Sequence, residues 1–147
     1  MSRRNASARG GDIDAVRRFN RFYTHRIGVL DEGHLESAYS LAEVRVLYEL
    51  AQRERTTAAE LCRDLGLDAG YLSRILRRFT REGLLKRQRA DDDKRQTRLS
   101  LTAKGRRTFA PLNQGAREHV RALLDPLSAA DRRALVSAMQ RIETLLR

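Results

Sequence analysis

The chain has 147 residues, of which 41% are hydrophobic, and this is enough to build the core of one ordinary domain. Thirty basic residues against nineteen acidic residues give a formal net charge of +11, which indicates a polyanionic partner. The composition excludes wholesale disorder, and no apolar run approaches the ~20 residues that a membrane-spanning helix requires.

The sequence also lacks the usual marks of export and of catalysis. The amino-terminal segment MSRRNASARGG has no apolar stretch behind its basic residues, so we expect a cytoplasmic protein with no membrane partner. The single Cys62 excludes an internal disulfide and is predicted to lie in the core, while His25, His34 and His119 are too far apart for metal-ligand spacing. No hydrolase or nucleotide-binding motif is present. We therefore predict no catalytic residue, no metal site and no cofactor, and we do not expect an enzyme.

The first predicted elements are an arm and two helices. Residues 1–11 are polar and glycine-rich, which is typical of a flexible arm. Apolar residues at steps of three and four then predict a helix that continues to Leu30 and is broken by Asp31-Glu32-Gly33-His34. Ser40 and Glu43 form a capping box that begins the second helix.

The middle of the chain has the pattern of a helix-turn-helix. A second capping box, Thr57 with Glu60, begins a short helix that ends at Gly66. Only Gly66-Leu67-Asp68 separates it from the next helix, and Asp68 is suited to cap that helix. Two helices joined by so tight a turn containing glycine are typical of a helix-turn-helix.

The helix after the turn, residues 69–82, has one apolar and one basic side. The basic side has almost no interleaved acidic residues, which favours a surface that faces DNA over an ordinary solvated helix face. The whole region 53–107 shares this excess, with 16 basic and 8 acidic residues. The candidate DNA-binding residues here are Asp68, Gly70, Tyr71, Ser73, Arg74, Arg77, Arg78 and Arg81.

A basic hairpin and two further helices complete the predicted fold. Residues 84–89 and 96–101 are predicted strands joined by a charged turn, in the position of a wing. Thr102 and Ser128 are predicted to cap the last two helices. Because the final helix is more apolar on one side than so small a core can cover, we expect it to pack with the first helix against a second subunit. The predicted fold class is mainly α with a small β-hairpin, a winged helix-turn-helix whose terminal helices form a dimerisation region.

Four ordered stretches of the chain resemble the MarR family of bacterial transcription regulators. The similarity covers about residues 12–147. The stretches are Leu41-x-Glu43…Val46-Leu47…Leu50; Ala59-Glu60-Leu61…Leu65-Gly66-Leu67-Asp68…Leu72-Ser73-Arg74; Glu82-Gly83-Leu84-Leu85; and Asp93-Lys94-Arg95…Leu99-Ser100-Leu101-Thr102-Ala103-Lys104-Gly105. We accordingly divide the chain into an arm (1–11) and one MarR-like domain (12–147), with dimerisation helices at 12–39 and 105–147 and a DNA-binding lobe at 40–104.

The resemblance implies a homodimer in which two winged lobes read a palindromic operator in double-stranded DNA. It further implies a repressor that a small aromatic or anionic effector releases. By the same resemblance, Arg95 at the hairpin tip enters the minor groove, with Lys94 beside it and Asp93 orienting its guanidinium. His25, Arg26 and His34 are candidate effector-binding groups, although isolated histidines often satisfy only a local hydrogen bond.

Two alternatives stay open at this point. One is a nonspecific architectural protein that binds nucleic acid through the same positive charge. The other is the DNA-binding part of an acetyltransferase fusion, because residues 17–30 are similar to the first helix of MarR-type proteins fused to a GNAT acetyltransferase. The end of the sequence at Arg147 leads us to expect a stand-alone relative instead. The first helix has no cysteine, so the chain departs from the peroxide-sensing members of the family.

Overall fold

The computed structural model describes residues 2–28, 37–89 and 95–147. Within them the order of elements is α1 (Ser2–Arg26), α2 (Leu41–Gln52), α3 (Ala58–Leu65), α4 (Ala69–Arg81), β1 (Leu85–Arg89), β2 (Thr97–Leu101), α5 (Ala103–Leu124) and α6 (Ala129–Leu146). The two strands form one antiparallel sheet in which Leu85 pairs with Leu101 and Arg87 with Leu99. The predicted fold class, mainly helical with a small hairpin, is confirmed.

Helix α1 differs from its prediction at both ends. It begins at Ser2, so residues 2–11, predicted to be an arm, are helical. No proline interrupts this stretch. Once the following residues are helical, each residue added at the amino-terminal end of the helix gains one hydrogen bond, and this can offset the loss of about 1 kcal/mol of helix stability at each glycine. At the other end, α1 stops at Arg26 and not at Leu30, because Gly28 adopts a left-handed backbone with φ of 67°. Residues 29–36 lie outside the described part of the chain.

The other helices begin at the residues that the sequence predicts. Ser40 Oγ accepts a hydrogen bond from the Glu43 amide at 3.2 Å, and the Glu43 carboxylate accepts one from the Ser40 amide at 2.8 Å. In helices α2 to α6 the side chain of the capping residue accepts a hydrogen bond from the amide three positions later, and the capping residues are Ser40, Thr57, Asp68, Thr102 and Ser128. Because a cap involves residues only three positions apart, the amino-terminal ends of these helices follow from local sequence.

One hydrophobic core lies beneath the helix-turn-helix and the hairpin. It contains Phe79 of α4, Leu47 of α2 and Leu61 of α3, all fully buried. The hairpin joins this core through Leu99, whose amide and carbonyl exchange hydrogen bonds with buried Thr56 at 2.7 and 3.1 Å. Cys62 is partly buried against the same core. These contacts hold α4 and the hairpin side by side on one lobe.

The terminal helices lie largely outside this core. Within the described residues, α6 contains no buried side chain, and Leu145 and Leu146 are among its exposed apolar residues. On α1, Ile13 and Phe22 are each more than half exposed. None of the described helices combines the length and the hydropathy that crossing a membrane requires.

Candidate nucleic-acid interface

Helix α4 divides into a buried apolar side and an exposed basic side, as predicted. Leu72, Ile75, Leu76 and Phe79 are buried, whereas Ser73 and the arginines at positions 74, 77 and 81 are exposed. Since the three arginines are three or four positions apart, they follow one face of the helix. Five guanidinium donors on each side chain suit contacts to phosphates and to guanine edges.

The turn before α4 determines how the helix begins. Gly66 ends α3 in the left-handed conformation, with φ of 63°, and the Leu67 amide donates to the Cys62 carbonyl at 3.2 Å. Asp68 Oδ2 accepts a hydrogen bond from the Tyr71 amide at 2.9 Å, so this predicted site residue acts as a helix cap. Gly70, also a predicted site residue, lies exposed in the first turn of α4. The turn thereby leaves the first turn of α4 exposed at the surface of the lobe.

An aromatic side chain lies next to the basic residues at this end of the helix. The guanidinium carbon of Arg74 is 5.6 Å from the centroid of the Tyr71 ring, which is within the range of a cation–π contact. Both side chains are exposed. The contact places Arg74 beside Tyr71 on the exposed face of α4.

The hairpin extends the positive surface beyond α4. Lys86, Arg87 and Arg89 of β1 are exposed, and Arg87 Nε donates to Thr80 Oγ1 of α4 at 3.2 Å. Arg95, the predicted minor-groove residue, is exposed just before β2. Asp93 and Lys94 lie outside the described residues. Sequence analysis predicts a basic hairpin here but names none of these three residues as a DNA contact, although three basic residues within four positions beside a basic helix could have indicated them.

Arg78 occupies a different environment from the other predicted DNA contacts on α4. Its Nε donates to Glu82 Oε1 at 2.8 Å and its Nη1 donates to Glu43 Oε1 at 2.7 Å. Its guanidinium carbon also lies 4.8 Å from the centroid of the Tyr39 ring. The hydrogen bond from Arg78 holds the pKa of Glu82 below its ordinary value, and burial beside this carboxylate raises the pKa of Tyr39.

The carboxyl end of α4 is also tied to α5. Thr102 Oγ1 donates to the Gly83 carbonyl at 2.6 Å, and Lys104 Nζ donates to the Glu82 carbonyl at 2.7 Å. A lysine at this position satisfies a carbonyl that the helix itself leaves without a partner. Sequence reasoning assigned Thr102 only as the cap of α5 and missed this second role.

The predicted effector residues are only partly described. His25 and Arg26 are exposed in the last turn of α1, and His34 lies outside the described residues. Among the described residues there is no group of histidine, cysteine, aspartate and glutamate side chains suited to hold a metal ion. The effector site therefore stays a prediction.

Comparison with known proteins agrees with this geometry. Residues 39–96, which include α2, α3, α4 and β1, match the family model described as MarR family. The HTH-type transcriptional regulator BilQ of Clostridium symbiosum (strain WAL-14163) is 27% identical over 97 residues, which are 66% of this chain and 67% of that protein.

Two solved structures are similar in fold. A mutant of MarR from E. coli complexed with operator DNA has a TM-score of 0.72 and 22% identity, and the match covers 90% of this chain and 95% of that one. BpsR of Bordetella bronchiseptica, described with regulation of its DNA binding by 6-hydroxynicotinic acid, has a TM-score of 0.70 and 18% identity, covering 88% of this chain and 98% of that one. The matching segment coincides with the helix-turn-helix and its neighbouring strand, so over residues 39–96 the chain is similar to the MarR family of transcription regulators.

Proposed function

We propose that this protein is a homodimeric repressor that binds a palindromic operator in the cytoplasm and that a small aromatic or anionic ligand releases it from DNA. The observation that carries the proposal is the continuous basic surface formed by the exposed side of α4 and by β1 of the hairpin. The mutant E. coli MarR of similar fold is complexed with operator DNA, which supports the same partner here.

The shape of this surface suits duplex DNA. Helix α4 has 13 residues, so it is about 20 Å long and fits the major groove, which is roughly 12 Å wide. With α4 in the groove, Ser73, Arg74 and Arg77 are the side chains that we expect to reach base edges. The hairpin then lies over the adjacent minor groove, where Arg95 is expected to bind. Asp93 and Lys94 are proposed as further residues of this contact, on the basis of the sequence alone.

The terminal helices supply the argument for a dimer. An isolated 18-residue helix is marginal in water unless it packs an apolar face, yet α6 buries none of its described side chains within one chain. A second copy offers the same apolar faces of α1 and α6, so a symmetric pair covers both sets at once. Sedimentation is expected to show a dimer at micromolar concentration, and a folded monomer there would contradict the proposal.

We propose the chemical class of the effector by analogy with a protein of similar fold. BpsR is described with 6-hydroxynicotinic acid, an aromatic acid, as a regulator of its DNA binding. His25 and Arg26, at the end of α1, together with His34, are the polar groups that we propose to bind such a ligand. If replacement of all three by alanine leaves the response to aromatic acids unchanged, these residues do not form the effector site.

One experiment tests DNA recognition directly. Sites are selected from a random DNA pool, and the best duplex and a scrambled one are then titrated at two salt concentrations. We expect a preference of ~10³-fold or more for the selected duplex, whereas an architectural protein would bind both equally. Equal binding would reject the proposed function in favour of that alternative.

Two variants separate the helix from the hairpin in the same assay. Arg77→Ala is expected to cost about 1–3 kcal/mol and to relax the preference at particular base pairs. Arg95→Ala is expected to weaken binding to both duplexes and to lower the salt dependence. Arg121→Ala, in the last turn of α5, removes an equal charge away from α4 and the hairpin, and it serves as the control once sedimentation shows that the variant assembles as the wild type does. An Arg95→Ala protein with unchanged affinity for both duplexes would exclude a role of Arg95 in DNA binding.

A further inference from the structure

We infer that Arg78 is a positioning residue of α4 and not one of its DNA contacts. Its hydrogen bonds and its ring contact connect the carboxyl end of α4 to the start of α2 and to Ala38 and Tyr39. These contacts set the angle at which α4 enters the major groove of the DNA. The inference rests on the proposed function, because it concerns how accurately a DNA-reading helix is placed.

All three side-chain nitrogens of Arg78 are in use inside the lobe. Nε and Nη1 bind the carboxylates of Glu82 and Glu43, and Nη2 donates to the Ala38 carbonyl at 3.4 Å. One face of the guanidinium is covered by the Tyr39 ring. Three of its five N–H donors are thus committed to acceptors of the protein in one plane, so Arg78 is less free than the exposed Arg77 to turn toward a DNA phosphate.

The charges around Arg78 also disfavour a phosphate. Two carboxylates flank the Arg78 guanidinium, so its positive charge is locally compensated. Glu43 is the more buried of the two, with 12% of its side chain exposed. Arg77, one position earlier, is exposed, and no carboxylate pairs with it among the described ion pairs. Of these two neighbouring arginines, only Arg78 is paired with carboxylates among the described ion pairs.

Tyr39 contacts both Glu82 and the hydrophobic core. Its hydroxyl donates to Glu82 Oε2 at 3.0 Å, while its ring packs edge-on against Phe79 at 6.0 Å between centroids. Glu82 thus accepts from Arg78 through one carboxylate oxygen and from Tyr39 through the other. Since Tyr39 and Glu82 are 43 positions apart in the chain, these bonds connect separate elements of the fold.

A second anchor holds the same end of α4 from another element. Lys104 and Thr102, at the start of α5, bind the carbonyls of Glu82 and Gly83. The carboxyl end of α4 is therefore fixed both to α2 and to α5. Base contacts demand placement within about 0.5 Å and 10–20°, so loss of one anchor is expected to reduce selectivity before it reduces general affinity.

Substitutions that keep or remove charge distinguish positioning from contact. Glu43→Gln removes a negative charge, and electrostatics alone predicts tighter binding to every duplex. We expect instead that its affinity for the selected operator falls roughly tenfold, the scale of one lost charge-assisted hydrogen bond. Affinity for scrambled DNA is not expected to fall. Arg78→Lys keeps the charge but cannot hold both carboxylates in one plane, so we expect the same loss with the wild-type salt dependence.

Three controls separate a positioning role of Arg78 from misfolding and from direct contact with DNA. Thermal unfolding checks that each variant is folded, and Tyr39→Phe, which removes only one hydroxyl, is expected to reduce operator affinity in the same direction by about two- to threefold. Arg77→Met is the neighbouring contact control, expected to lower the salt slope. If Arg78→Met weakens binding to both duplexes equally and lowers the slope by about 0.9, Arg78 contacts phosphate and the inference is wrong. A wild-type protein without any sequence preference would instead reject the proposed function, and the positioning role with it.

Discussion

Gly105 is the position at which the structure and helix propensity predict opposite effects of the same substitution. It lies in the first turn of α5, where a Cβ atom would overlap the Leu84 carbonyl oxygen and lie 3.1 Å from Leu101 Cδ2. That carbonyl already accepts a hydrogen bond from the Thr102 amide at 3.0 Å. It therefore cannot rotate away from a new methyl group without losing this bond.

The expected size of the effect follows from the competing contributions. Alanine is better than glycine in a helix by about 1 kcal/mol. Overpacking of a close contact costs about 1–3 kcal/mol, and weakening of the Leu84 hydrogen bond adds about 1 kcal/mol. We therefore expect Gly105→Ala to lower the free energy of unfolding by about 1–3 kcal/mol. Each kcal/mol corresponds to a Tm roughly 2–4 °C lower in a chain of this length.

The assay is thermal and urea unfolding followed by circular dichroism at one fixed protein concentration, because the proposed dimer would make Tm depend on concentration. Gly11→Ala in α1 is the matched control, since a Cβ there has no neighbour within 4 Å in the described structure. It is expected to leave stability unchanged or to raise it by up to about 1 kcal/mol. If Gly105→Ala is as stable as Gly11→Ala, the close approach of α5 to Leu84 is not as described, and the reasoning fails.

Three further substitutions test the packing, the capping and the titration of the lobe. Phe79→Ala, at a fully buried position, is expected to cost about 3–5 kcal/mol in urea unfolding, and a loss below 1 kcal/mol would contradict its place in the core. Thr57→Ala removes the cap of α3 and is expected to cost about 1 kcal/mol by the same measurement, whereas Thr57→Ser should retain most of it. Arg78 holds the pKa of Glu82 below its unfolded value of about 4.3, so this interaction stabilises the fold above that pH and is lost as the pH falls through the folded pKa. Glu82→Gln is therefore expected to flatten the dependence of Tm on pH below about pH 4.5, and an unchanged dependence would argue against the interaction.

The parts of the fold that sequence predicts well are those decided by near neighbours. Ser40 with Glu43 and Thr57 with Glu60 begin their helices as predicted, because each capping box lies within one turn of chain. The hairpin strands start one residue later than predicted, at Leu85 and Thr97. The first residue of each strand depends on how the two strands pair across the hairpin, and residue composition alone does not determine this pairing.

The errors in α1 have a different origin. A polar, glycine-rich segment such as residues 2–11 has no strong preference by itself, and its conformation depends on whether a neighbouring helix propagates into it. At the other end, apolar periodicity continues to Leu30, but the left-handed backbone of Gly28 stops the helix first. Glycine permits that conformation without requiring it, so the pattern of residue types does not reveal the end of the helix.

The site shows the same division between local and distant causes. Helical periodicity alone predicts that Arg74, Arg77 and Arg81 are exposed, since the apolar side of α4 fixes the opposite side. Arg78 lies at the border between the two sides, where periodicity allows its guanidinium to point either way. From the sequence, Glu82 is recognisable as an ion-pair partner of Arg78 because it lies four positions later. Glu43 is not, because it is 35 positions away and comes close only when the lobe folds. Candidate DNA contacts can thus be proposed from the sequence of one helix, whereas the residues that we propose to position this helix are found only once the fold is known.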